Sequence, residues 1–309
     1  MNCALSTNWD TSLQPDQMID QALALGFDSL ELGFCTRPDD IKAYQRRLSE
    51  MPVTSLHAFC PVPIGAPMAH PEVYTLASYR ALVRNLARMH LAHTITTAEG
   101  LGATAVVLHA GHISLARFFD ANFSSRTLSA ALDAAQKDVT NRRFQSLTRT
   151  ALKIRRRRGK RMVDIFSREL ETLIPLLEET GVVLGLENLP HLEAFPDEEE
   201  LNQLLARFAG APIRGWFDTG HDRVRTSFGW AKGTLEDVLA HPEKFIGTHL
   251  NDVKDFTDDH LAPYEANVDF DGLMPFFRQV SHVVFEPHQH VTAERLAAAL
   301  KRFRLSYSR

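Results

Sequence analysis

Short apolar runs rich in valine, leucine and phenylalanine recur along the chain, each followed by a longer stretch with apolar positions three and four apart. That alternation predicts repeated strand–helix units around a parallel sheet. Eight strand-like runs stand out: Cys3 to Ser6, Ser29 to Gly33, Val53 to Ala58, Ala105 to His109, Val182 to Glu187, Ile213 to Asp218, Phe245 to Leu250 and His282 to Glu286. The predicted helices are Pro15 to Leu25, Asp39 to Glu50, Leu76 to Leu101, Leu170 to Thr180, Glu198 to Phe208, Thr234 to Ala240, Phe270 to Gln279 and Thr292 to Phe303. Gly26, Gly102, Gly181 and Gly210 fall where helices should end, the position at which a left-handed residue closes the last turn. The whole predicts an α/β fold, a (β/α)8 TIM barrel, with residues 1–309 as one domain.

One unit is oversized. About seventy residues, Gly111 to Thr180, separate the fourth and fifth strands, too many for one barrel helix. Their polar character and helical spacing predict a helical hairpin inserted at about 112–168 on the upper rim. It contains a basic run, Lys153-Ile-Arg-Arg-Arg-Arg-Gly-Lys-Arg161. Such a run reads either as a solvated or subunit-facing helix surface or as a contact for phosphate or nucleic acid.

Composition changes this picture little. A chain of 309 residues, 44% hydrophobic, buries one large core but not two enzyme domains. A net charge of −4 argues against nucleic acid or an anionic membrane surface as the main partner. Three cysteines, Cys3, Cys35 and Cys60, form no C-x-x-C pair and predict free thiols in a reducing compartment. With no apolar run of about 18 residues and no basic-then-apolar start, no membrane partner and a cytoplasmic location are expected.

The candidate chemistry lies at the strand ends, because a TIM barrel builds its site at the C-terminal end of its strands. Strand two contributes Glu31, strand three ends at His57, strand four at His109 and strand five at Glu187-Asn188. Strand six ends in Asp218-Thr-Gly-His221, strand seven in His249-Leu-Asn-Asp252 and strand eight at Glu286. Any one of these reads as an ordinary buried hydrogen-bonding group. Seven converging on one mouth would repel one another and be costly to desolvate unless cations sat among them. Mixed imidazole and carboxylate donors suit a divalent metal, with Mn or Zn the best fit and Co or Mg also accommodated.

Segments Gly185-Leu-Glu-Asn, Phe217-Asp-Thr-Gly-His, Thr248-His-Leu-Asn-Asp and Phe285-Glu286 resemble, in order, the ligand-bearing strand ends of the xylose isomerase-like TIM barrels. That superfamily includes sugar isomerases and epimerases and the endonuclease IV type of abasic-site nucleases. The resemblance covers most of the chain outside the insertion. It implies that Glu187, Asp218, His249 and Glu286 hold a principal metal. On the isomerase branch it implies proton transfer through an enediolate by Glu187 and Glu286, with Glu193 and His221 touching a sugar or sugar phosphate. Asp255 stands where tagatose-type epimerases tend to carry a substrate-binding arginine. On the nuclease branch it implies a trinuclear zinc phosphodiesterase, with His57, His109, His221, Asp258 and His260 as further ligands. There Asp258-Asp-His260 resembles that branch's D-R-H stretch, with Asp259 in place of the arginine. The isomerase branch is the expectation and the nuclease its alternative. The first makes nucleic acid an unexpected partner, and a homo-oligomer remains open.

Overall fold

The alternation closes into a ring. In the computed structural model, which describes residues 2–115, 125–231, 238 and 240–309, eight parallel strands form a closed barrel. They are β1 (Ala4–Ser6), β2 (Ser29–Leu32), β3 (Val53–His57), β4 (Ala105–Leu108), β6 (Val183–Glu187), β8 (Ile213–Asp218), β9 (Phe245–Leu250) and β10 (His282–Phe285). Two short strands, β5 (Gly111–His112) and β7 (Ala194–Phe195), pair antiparallel outside it. The helices are α1 (Pro15–Leu25), α2 (Ile41–Arg46), α3 (Ala81–Leu101), α4 (Ser125–Ala134), α5 (Arg142–Thr180), α6 (Glu198–Arg207), α7 (Thr219–Ser227), α8 (Met274–Phe277) and α9 (Ala293–Tyr307). The barrel lies where the pattern places it. Most of the helix expected at Thr234 to Ala240 lies outside the described residues. No helix among the described residues is long and apolar enough to cross a membrane.

The period of two along β8 shows how the barrel is filled. Trp216 and Asp218 point inward, while Phe217 points outward against Phe245 and Phe276. Trp216 is wholly buried and plugs the barrel beside Ala4, Ala105, Val107 and Val284. Glycines on both neighbouring strands make room for it: a Cβ at Gly247 would stand 2.5 Å from the Trp216 ring, and one at Gly185 would stand 3.0 Å away. Above the indole lies the His249 ring, centroid to centroid 5.1 Å. The tryptophan is thus the floor on which the polar end of the barrel is built.

The insertion is helical as expected, with α4 packed against α5, but its second helix does not stop where the insertion was expected to end. After α4, a single 39-residue helix, α5, runs without a break through the insertion and on as the barrel helix expected at Leu170 to Thr180. Asn141 caps its start by accepting from the N–H groups of Arg143 and Phe144, and Gly181 ends it at φ 68°. The basic run is also not uniformly a solvated face. Arg155 is 1% exposed, and its guanidinium donates to Glu200 at 2.6 and 2.7 Å, to Asp197 at 2.8 Å and to the Ala194 carbonyl. That arginine fastens α5 to β7 and α6. It faces no open mouth.

Candidate metal centre

The register of the barrel delivers the polar strand ends to one level. Asp218 pairs with His249, Glu187 with Trp216 and Glu31 with Ser55. Side chains that are distant in sequence therefore meet. Their possible ligand atoms fall into three groups, each within 4.8 Å: His57, His109 and Glu187; His221, Asp258 and His260; and Glu187, Asp218, His249 and Glu286. Glu187 belongs to two of them. Its Oε1 stands 3.0 Å from His249 Nδ1, and its Oε2 stands 3.2 Å from His57 Nε2 and 3.0 Å from His109 Nε2.

Four of the imidazoles are oriented from behind. Nδ1 of His57 meets the Ala58 carbonyl at 3.0 Å, that of His221 meets the Asn188 carbonyl at 2.8 Å, and that of His260 meets the Glu286 carbonyl at 2.8 Å. A carbonyl accepts only, so each Nδ1 carries a hydrogen, and in the neutral ring the lone pair is on Nε2. Those Nε2 atoms face carboxylates: Glu187 for His57, and Asp258 for both His221 and His260, at 3.6 and 3.3 Å. In His249 the roles of the nitrogens are reversed. Nε2 lies 2.9 Å from Glu31 Oε1, which leaves Nδ1 toward Glu187 and Glu286. One nitrogen anchored and the other aimed at converging oxygens is how metal-binding histidines are held.

The carboxylates are fixed with equal care. Asp218 caps α7 by accepting from the His221 N–H at 2.7 Å, and its other oxygen accepts from Asn251 Nδ2 at 2.7 Å. Asn188 accepts from the Asp218 N–H and donates to its carbonyl. Asn8, just past β1, donates to Glu286 Oε1 at 3.2 Å. Asp252 gathers the N–H groups of Val253, Ala266, Asn267 and Val268 at 2.7 to 2.9 Å, tying down the loop that carries Asp258 and His260.

Burial works against charge at His221, His249, His260 and Glu187, yet opposite charges outweigh it there. The surrounding carboxylates hold His221 and His249 well above the usual imidazole range and His260 at about 9. His249 and His109 hold Glu187 well below the usual carboxylate range. Burial prevails at Asp218, which is raised. Protons and divalent cations would compete for the same nitrogens. The residues fit a metal on a further ground: Glu187 Oε2 and Asp258 Oδ1 are buried and lack a hydrogen-bond partner among the described residues. In a native interior such acceptors call for an ion or a water.

A cavity of about 210 Å³ opens over these groups, with His57, His109, His221, Asp258, His260 and Glu286 on its wall. Four expected residues lie off this wall, among them Asp218 and His249, both fully buried. Glu187 lies beneath, outside the wall, with both oxygens toward imidazoles. Glu193 is buried outside the wall, and its carbonyl accepts from the Ile113 N–H. Asp255 pairs with Arg223 at 2.6 Å. The wall also contains Asn8, His70, Glu72, His191 and His288, none of them picked out by strand-end position. His288 lies flat on His260 at 4.0 Å, and burial pushes it down to about 4.

The fold and this site define a xylose isomerase-like TIM barrel, and the family model of that description matches residues 19–304. The chain belongs to that family. Protein y4fM of Sinorhizobium fredii is 23% identical over 201 residues, which cover 59% of this chain and only 60% of that protein's length. Among solved structures, the 3-keto-D-glucoside 4-epimerase YcjR from E. coli superposes with a TM-score of 0.67 at 13% identity, covering 99% of each chain. The IolI protein with a bound zinc atom gives 0.65 at 14% identity, covering 100% of this chain and 98% of that one. At such identities these likenesses speak for the fold.

Proposed function

We propose that this chain is a divalent-metal isomerase or epimerase of a small polyhydroxylated substrate, and that its centre takes more than one ion. The anchored imidazoles carry the metal part of this reading: four rings, each held by one nitrogen, aim the other at a carboxylate, Glu187 for His57 and His249 and Asp258 for His221 and His260. A bound divalent ion would supply Lewis acidity to adjacent hydroxyl and carbonyl oxygens of a substrate. Glu187, Asp218, His249 and Glu286 would hold one ion, His57 and His109 with Glu187 a second, and His221, Asp258 and His260 a third.

The cavity supports the substrate class. Its volume of about 210 Å³ suits a molecule the size of a monosaccharide. The epimerase activity in YcjR's name and the zinc in the IolI structure agree with both halves of the reading. Glu286 is the carboxylate that meets the substrate: it lines the cavity, and Asn8 fixes one of its oxygens. It is therefore our candidate to take and return the proton on the carbon between two substrate oxygens. Glu187, expected as its partner in that transfer, is better placed to hold ions.

One observation favours a second reading, hydrolysis of a phosphate ester. Three ligand groups, two of them sharing Glu187, exceed what a single-ion proton transfer needs, and paired cations suit displacement at phosphorus. The test is to load the protein with Mn or Zn and assay ketose interconversion beside phosphate release. Interconversion abolished by Glu286→Gln supports the first reading. Phosphate release without interconversion overturns it in favour of the second.

A further inference from the structure

The nine ligand-type residues leave part of the cavity wall to others. Phe34, His70, Glu72, Leu189, His191 and His288 build most of it. No lysine or arginine lines the cavity among the described residues, and Glu72 is the acidic residue on this part of the wall. Burial pushes His70 and His191 below their ordinary range, so these rings add no positive charge at neutral pH. The basic run of α5 offers no compensation here, because none of its residues lines this cavity.

Glu72 is held in place. Its backbone N–H donates to His70 Nδ1 at 3.0 Å, and its Oε2 stands 3.9 Å from His112 Nδ1. Its side chain is 19% exposed, so it meets a ligand with limited screening by water. A phosphate lying against this wall, away from the ligand groups, would face a carboxylate with no lysine or arginine to balance it, a like-charge contact that penalises binding. A hydroxyl or an ammonium group would be welcome there, since a carboxylate accepts hydrogen bonds from both.

We propose that Glu72 is a specificity-determining residue, selecting substrates whose portion outside the ligand groups is uncharged or cationic and rejecting those that carry phosphate there. The inference rests on the reading above only in taking this cavity as the substrate site.

The test uses the full chain loaded with metal and two probes, D-fructose and D-fructose 6-phosphate, with binding followed calorimetrically. Wild type should prefer the uncharged sugar by about tenfold, Glu72→Gln should remove most of that preference, and Glu72→Lys should reverse it. Unchanged melting temperatures would establish that both variants fold. The proposal is overturned if wild type prefers the phosphate, if Glu72→Lys leaves the ratio unchanged, or if neither probe binds any of the three proteins. Turnover is scored separately. Sugar that binds with the expected preference but is not interconverted would sink the isomerase reading and leave the role of Glu72 standing.

Discussion

Glu31 and His249, 218 positions apart in sequence, meet at 2.9 Å between Oε1 and Nε2, both fully buried. Ser55 Oγ donates to the other Glu31 oxygen at 2.8 Å, so the carboxylate cannot swing away. Glu31 thereby sets which nitrogen of His249 keeps its lone pair. Glu31→Gln should lower metal affinity by about 10- to 100-fold, with the fold retained. Titration against a chelating indicator reads this directly. An affinity equal to wild type would mean that His249 does not need its rear contact.

The sharing of Glu187 predicts how the metal content should divide. Wild type purified without chelator should carry more than one divalent ion per chain by elemental analysis. Asp258→Ala should lose one ion while leaving the Glu187 groups loaded, because it belongs only to the group with His221 and His260. Glu187→Ala should deplete two groups together. A single ion in wild type, unaffected by Asp258→Ala, would reduce the centre to one site.

Gly220 lies in the turn that carries His221, and a Cβ there would collide with Asn251 Oδ1. Displacing Asn251 frees the Asp218 oxygen that its Nδ2 holds. Gly220→Ala should therefore weaken metal binding about tenfold or more, although no ligand is altered. A crystal structure of the variant would show whether Asn251 moves, and unchanged metal affinity would count against the contact.

Arg155 joins the insertion to the barrel through buried charges. Removing one partner leaves the others buried and uncompensated, so Arg155→Met should cost about 3–5 kcal/mol of stability. Adding Glu200→Leu to that variant should recover part of the loss, since a matched apolar pair is tolerated where a lone charge is not. Denaturant melts of the single and double variants decide the point.

His282 lies on the barrel floor, 3.2 Å from Thr104 Oγ1 and beside the Trp216 ring. Burial lowers its pKa below the free value. The unfolded chain therefore binds this proton more readily. The contribution of neutral His282 is present above the ordinary histidine range, near pH 6.5, and is lost as pH falls from there toward the folded value. Melting temperature should drop less steeply on acidification in His282→Gln than in wild type. Parallel curves would show that another group governs the acid limb.

Much of this site was legible in the sequence because strand ends are countable. An apolar run fixes where a strand stops, and the barrel then fixes that the stopping residues converge. His57, His109, Glu187, Asp218, His249 and Glu286 needed no more than that. Asp258 and His260 were visible only as a spacing in a polar loop, and what gives the spacing meaning is Asp252, whose role as a collector of amides has no linear signature. Asn8, Glu72 and His191 were out of reach for a similar reason, since each acts from a loop whose path depends on packing. The length of α5 was hidden as well: the basic run suggested a solvated surface or an anion contact, whereas Arg155 is neutralised by Asp197 and Glu200, more than forty positions away.

The continuity of α5 has a consequence for the centre itself. Phe144 and Ala151, on its first half, share a hydrophobic cluster with Leu128 and Leu132 of α4, with Val224 of α7 and Phe228 just past its end, and with Trp230 and Val253. Helix α7 carries His221, and Val253 directly follows Asp252. The inserted segment is thus the outer brace of the elements that present the third ligand group. Trimming it back to an ordinary barrel crossover would bare that apolar face and loosen His221 and Asp258 together, so the shortest stable form of this protein is longer than the barrel alone.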